Sequence, residues 1–267
     1  MAKDKNFYSY DEDTKAVAFL DIIGFSKLTT IASKDPLGPA GLALCFFENS
    51  ILPYREMMKR NTFKREIPTA VTGQDFEFKS SSVWHREIPE GAVNFAYMSD
   101  CAILYSNSLT HLFDILSAIY GSAITWAVPI RAGVSVGALH HSEWIERPGT
   151  GVSLYGAALT RAVELEKSVK GAGMRIWLEP EVLNIAAQCG LENKIVRGRC
   201  GKPAELKWWL GAYNSGGPRK TESSELEWQF ERWFTEKYTK DWFGGPNCRR
   251  TKQIVKRAVA ELKALDR

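Results

Sequence analysis

Residues 16–23 read AVAFLDII, a nearly unbroken apolar run with one carboxylate inside it. A short run of this kind is the pattern of a central strand buried on both faces. An aspartate there is costly unless it is paired or binds a cation. Gly24-Phe25-Ser26 follows at once and breaks the strand into a turn. A fold built on this chain must therefore bring Asp21 to the end of a buried strand, facing something that compensates its charge.

The rest of the chain supplies elements to surround that strand. The stretch from Leu42 to Arg60 is predicted helical, with Pro53 kinking or dividing it. Residues 61–92 carry Pro68, Gly73, Pro89 and Gly91 among scattered charges and read as a long connection or insertion. Val93 to Met98 and Cys101 to Tyr105 read as two strands joined by a tight turn at Ser99-Asp100. From Ser108 to Trp126 the apolar residues recur at helical spacing, with Ser108 as N-cap. Ile130 to Ala138 alternates as a strand does. A helix over Ala157 to Lys167 follows, then a strand over Met174 to Leu178. A helix starts at Pro180, and Ile195 to Arg197 with Leu206 to Tyr213 make a closing pair of strands. This order predicts an α+β domain, a ferredoxin-like mixed sheet with helices mostly on one face, over residues 15–215. Two amphipathic helices, one on Leu226, Phe230, Trp233 and Phe234 and one on Ile254, Val255, Ala258, Val259, Leu262 and Leu265, form a C-terminal helical appendage over residues 222–267.

Two acids carry the chemistry. Asp21 ends the buried strand and Asp100 sits in the turn of a hairpin that can lie beside it. If the strands adjoin, the carboxylates project to one place, where they repel unless a cation lies between them. Hard oxygen ligands suit Mg²⁺ or Mn²⁺. The backbone from Ile22 to Ser26 turns toward a helix, and N–H groups at such a turn can cradle phosphates. The same residues also fit a plain structural role, with Asp21 as a helix cap and Asp100 as a hairpin-turn residue.

The segment Phe19-Leu20-Asp21-Ile22-Ile23-Gly24-Phe25-Ser26 resembles the first metal motif of class III nucleotidyl cyclases, F-x-D-I-x-G-F-[ST]. Met98-Ser99-Asp100 resembles that family's hairpin Gly-Asp, with serine for glycine. Arg131-Ala132-Gly133-Val134 through Gly137 resembles its R-x-G-[IV]-x-x-G strand, and Tyr155-Gly156 through Leu165-Glu166 its W-G helix entry. The resemblance spans roughly residues 15–213. It implies that Asp21, the Ile22 carbonyl and Asp100 hold two divalent ions, Mn²⁺ or Mg²⁺. It further implies that Asp21 and Asp100 are the catalytic acids, and that Phe19, Ile23, Gly24, Phe25 and Ser26 bind the nucleotide. Arg199 or Lys202 stands near the closing hairpin, where the family has a triphosphate-binding cation. The site implied is a composite of two chains in a head-to-tail homodimer.

The departures are as informative. Ala96 stands where adenylate cyclases carry a purine-reading lysine, and Ser153 is nearest to the position of a base-reading aspartate. The family's transition-state asparagine and arginine fall on Thr160 and Glu164. Gly156-Ala157-Ala158-Leu159-Thr160-Arg161-Ala162 is more similar to the divergent cyclases of Pycsar antiphage systems, which make cyclic UMP or cyclic CMP. That similarity implies a pyrimidine nucleotide cyclase acting as a second-messenger synthase, UTP rather than CTP being the expected substrate. Arg161 then replaces the missing positive charge, although a surface pair with Glu164 accounts for it equally well. The rival readings are a purine cyclase with a rearranged base pocket and a catalytically inactive nucleotide-binding scaffold.

Composition narrows the remainder. A net charge of +4 is too small to argue for a nucleic-acid binder. The tryptophans at 208, 209, 228, 233 and 242 could stack on bases, but at this spacing core or dimer contact is the ordinary use. The five cysteines show no C-x-x-C spacing and suit a reducing compartment. With no apolar run long enough to span a bilayer and no h-region at the start, a cytoplasmic protein without membrane contact is expected. His140-His141 does not make a metal pair, since neighbours on a strand face opposite ways.

Overall fold

The computed structural model describes residues 14–47, 92–98, 100–143, 152–168, 173–198, 202–210, 226–227, 243 and 245–265. The apolar run forms β1 (Thr14–Ile22), the third strand of a seven-stranded mixed sheet. It is flanked by β3 (Cys101–Ser106) on one side and β4 (Ile130–Ala138) on the other, antiparallel to both. β2 (Asn94–Met98) pairs with β3 and closes that edge. Order β2-β3-β1-β4 with alternating direction is the βαββαβ arrangement of ferredoxin-like domains, as the element order predicts. Beyond β4 the sheet continues through β7 (Ile176–Leu178), β9 (Ala204–Leu206) and β8 (Ile195–Val196), with β4 and β7 parallel. A separate hairpin joins β5 (His140–Glu143) to β6 (Val152–Tyr155).

The alternation along β1 sends its side chains to two different places. Ala16, Ala18, Leu20 and Ile22 join one large core with α3 (Leu109–Thr125), whose Leu112, Phe113, Leu116 and Ile119 are fully buried. Ser108 caps α3 by accepting the His111 N–H at 3.3 Å. The helices α1 (Phe25–Ala32), α2 (Pro39–Leu44) and α5 (Pro180–Gln188) bury residues in the same core. Val17 points the other way and packs with Ala158 of α4 (Ala157–Ser168). Gly133 of β4 lets α4 settle on this second face, for a Cβ there would stand 2.2 Å from the Ala162 carbonyl oxygen.

One predicted element moves. The strand expected over Leu206 to Tyr213 lies earlier, at Ala204–Leu206, and the chain turns helical at 208–210. Trp208 and Trp209 are each 1% exposed, which puts them in the core and not on a stacking platform. Tyr120 and Trp208 lie against each other, and burying such rings outweighs their strand propensity. The second C-terminal stripe is helix α6 (Gly245–Leu265), with Ile254, Val255, Ala258, Val259 and Leu262 sharing the main core, while Leu265 is exposed. The first tail stripe beyond Leu226, the insertion over 61–92 apart from its last residue and most of the helix predicted from Leu42 lie outside the described residues. No helix among the described residues is long and apolar enough to cross a membrane.

Candidate active site

The sheet register brings the two acids together. Asp21 lies directly opposite Cys101 across the β1–β3 pair, and the next N–H, that of Ile22, donates to the Asp100 carbonyl at 2.9 Å. The carboxylates are near enough that the Asp100 charge helps to raise the pKa of Asp21. Burial is the larger cause of that rise, and the Arg131 guanidinium opposes it.

Arg131 is the partner that the sequence pattern did not single out. It faces Asp21 across the β1–β4 pair, and its Nη2 donates to Asp21 Oδ2 at 3.0 Å. On its other side its Nε meets Oε1 of Glu166, a carboxylate 1% exposed on α4. Burial raises the Glu166 pKa, again against the pull of Arg131. The signal for this triad was present. Once Asp21 is on a central strand, a cross-strand arginine in R-A-G-V is the compensating charge that a buried carboxylate demands. The reach of Glu166 into it depends on how close α4 comes, and no spacing rule gives that.

The turn after β1 matches its expected form in part. Gly24 adopts φ 83°, ψ 19°, the left-handed conformation that disfavours any side chain, and N-caps α1. No acceptor among the described residues takes the N–H groups of Gly24, Phe25 or Ser26. Ile23 is a correction: its N–H donates to the Pro129 carbonyl at 2.8 Å, extending the sheet, and is not available to a phosphate. Ile22 is 1% exposed and Phe19 is half-buried on the strand face that carries Asp21.

Arg161 does not join the acids within one chain. Its Nε pairs with Glu179 at 2.7 Å, and its Nη2 bonds the Val136 carbonyl and lies 3.9 Å from Glu181. Val136 is five residues along β4 from Arg131, roughly 17 Å at strand rise. Neither the acid pair nor Glu164 is its partner. Arg199 lies outside the described residues, and Lys202 is exposed. Thr160 and Glu164 are exposed on α4, and Ala96 pairs with Ile103 in the row next to Asp21. His140 stacks on Tyr155 across the β5–β6 hairpin, with ring centroids 5.2 Å apart.

Among the described residues no group of three or more His, Cys, Asp or Glu side chains could hold a metal by itself. Asp21 and Asp100 fit the other mode, in which Mg²⁺ or Mn²⁺ takes one or two carboxylates and completes its shell with substrate phosphates and water.

No family model matches the chain, and no curated protein matches it. Among solved structures it is similar to the adenylyl cyclase CyaB from P. aeruginosa, at 13% identity and a TM-score of 0.40, over 72% of this chain and 91% of that one. It is similar to the dimeric guanylyl cyclase domain of the RhoGC fusion protein from the aquatic fungus Blastocladiella emersonii, at 14% identity and a TM-score of 0.40, over 69% and 86%. The guanylyl cyclase Cya2 is similar at 10% identity and a TM-score of 0.38, over 74% and 92%. At these TM-scores the likenesses do not bear on which reaction the chain performs, and the functional reading rests on its own residues.

Proposed function

We propose that the chain is a nucleotide cyclase that closes a pyrimidine nucleoside triphosphate, UTP before CTP, into its 3′,5′-cyclic monophosphate. The observation that carries the reading is the Ile22 N–H to Asp100 carbonyl bond at 2.9 Å, which sets the Asp100 turn beside the strand end bearing Asp21. The ribose 3′-oxygen attacks the α-phosphorus in line, its proton passes to solvent water, and the bond from the α-phosphorus to the bridging oxygen breaks, so that pyrophosphate leaves with the electron pair. Asp21 and Asp100 would hold divalent ions, whose charge would ease loss of the 3′ proton and offset the charge building on the leaving phosphates. The N–H groups of Gly24, Phe25 and Ser26 face phosphate oxygens at the N-terminus of α1. Pyrimidine choice is supported by Ala96, which offers no purine-reading cation, and by the resemblance of the α4 entry. That resemblance also suggests a signalling role in antiphage defence.

The site is completed across a homodimer. In one chain Arg161 sits roughly 17 Å along the sheet from the acids, so it can serve them only from a second copy. It would first have to leave Glu179.

The test is incubation of the purified chain with each of ATP, GTP, CTP and UTP in the presence of Mn²⁺, with products read by mass spectrometry. Cyclic UMP or cyclic CMP is expected. Cyclic AMP or cyclic GMP alone would refute the pyrimidine assignment, and no cyclic product from any of them would refute the activity. Mixing Asp21→Ala chains with Arg161→Ala chains should restore part of the activity that each lacks. No restoration would rule out a composite site.

A further inference from the structure

Arg131 stands between two carboxylates of different character. Asp21 is 22% exposed at the open end of the strand, and Glu166 is 1% exposed beneath α4. The Nε and Nη2 hydrogens of an arginine form one edge of its fork, the edge that closes bidentately on a single carboxylate. Here that edge is divided, with Nε on Glu166 and Nη2 on Asp21 Oδ2. Arg131 therefore spends only half of its preferred edge on Asp21.

The division depends on how near α4 lies to the sheet. Gly133 occupies the same strand face two residues beyond Arg131, and a Cβ there would stand 2.9 Å from the Glu166 backbone nitrogen. The absence of a side chain at Gly133 is what lets Glu166 come within reach of Nε.

We propose that Glu166 is a positioning residue that holds Arg131 partly off Asp21, so that Asp21 keeps carboxylate capacity for a divalent cation. The inference rests on the reading of Asp21 and Asp100 as cation-holding acids. A guanidinium and a divalent ion compete for the same oxygens, and a guanidinium closed on Asp21 with its whole edge would win more often. Glu166 contacts Arg131 and would act on Asp21 only through that guanidinium, which makes it a positioning residue and not a catalytic one.

The test is Mn²⁺ binding to the full chain without nucleotide, followed by the electron paramagnetic resonance signal of free Mn²⁺ at about pH 8, where carboxylates are ionised. Glu166→Gln should weaken Mn²⁺ about tenfold, the scale on which groups behind a ligand alter metal affinity. Glu166→Asp keeps the charge and loses the reach, so it should weaken binding too, as should Gly133→Ala. The double variant Arg131→Gln with Glu166→Gln removes the competitor without leaving a buried charge unpaired, and should bind at least as tightly as the parent. Parental affinity in Glu166→Asp would overturn the proposal, because Glu166 would then act by charge alone. Weaker binding in the double variant would overturn it independently, even if the single variants fail to fold. If Mn²⁺ binding does not fall in Asp21→Ala or Asp100→Ala, the metal reading itself fails and this inference falls with it.

Discussion

Two buried glutamates, Glu166 and Glu205, sit in the same domain and teach opposite lessons about charge. Glu205, 3% exposed on β9, has two arginines: Arg175 at 2.8 Å and Arg257 of α6 at 3.1 Å. Both arginines also lie over indoles, Arg175 on Trp177 and Arg257 on Trp209. The cluster has more positive than negative charge and is closed by aromatic rings. It ties α6 to the sheet. Glu166 has one arginine and shares it with Asp21, next to Asp100. That corner is short of positive charge. A self-sufficient cluster is a structural lock, whereas a deficient one at a strand end is where we propose that a cation binds.

The largest effect that would break this contrast concerns function. Asp21→Ala and Asp100→Ala should each abolish cyclic-nucleotide formation while the melting temperature holds, because each lessens repulsion. Full turnover in either variant would erase the distinction between the two clusters. Next in size is the lock. Glu205→Ala leaves Arg175 facing Arg257 and should cost about 3–5 kcal/mol of unfolding free energy, measured by denaturant titration. A loss as small as that of a surface change would show that the cluster is not holding α6.

The acid limb sharpens the comparison further. Burial raises Asp21 above the ordinary 3.8 and Glu166 above the ordinary 4.5. The folded state therefore holds these protons more tightly than the unfolded chain does. Their cost to stability is present at neutral pH, shrinks as pH falls through the raised values, and is gone below the ordinary ones. Cation affinity should fall through that same window, since protonated carboxylates do not bind Mn²⁺. Melting curves and Mn²⁺ titrations across the acid range should thus move in opposite directions in the contribution of this corner. The Arg131→Gln variant should shift the loss of Mn²⁺ binding to higher pH, because the charge that lowers the Asp21 pKa is gone. The smallest effect is at the α6 seam. Thr251 Oγ1 accepts the Met174 N–H at 2.9 Å, and Thr251→Val should cost about 1–3 kcal/mol by leaving that buried donor unpaired. Faster hydrogen exchange at Met174 would report it.

Much of the sheet was legible in the residues. AVAFLDII, the alternation from Ile130 to Ala138 and the Ser108 cap each encode an element locally, and β1, β4 and α3 lie where those patterns put them. Local patterns failed where packing overrode propensity, as at Trp208 and Trp209, which the core draws into a helical turn.

The amino-acid order alone determined that Asp21 would need compensation, because a carboxylate in an apolar strand loses much of the water that would solvate it. It did not determine what would compensate it. Strand pairing set Arg131 opposite Asp21, and the close seat of α4 on Gly133 set Glu166 behind Arg131. Cross-strand register and helix-to-sheet distance are properties of the assembled layers, fixed by side chains far apart in the chain, so only the tertiary structure could decide them.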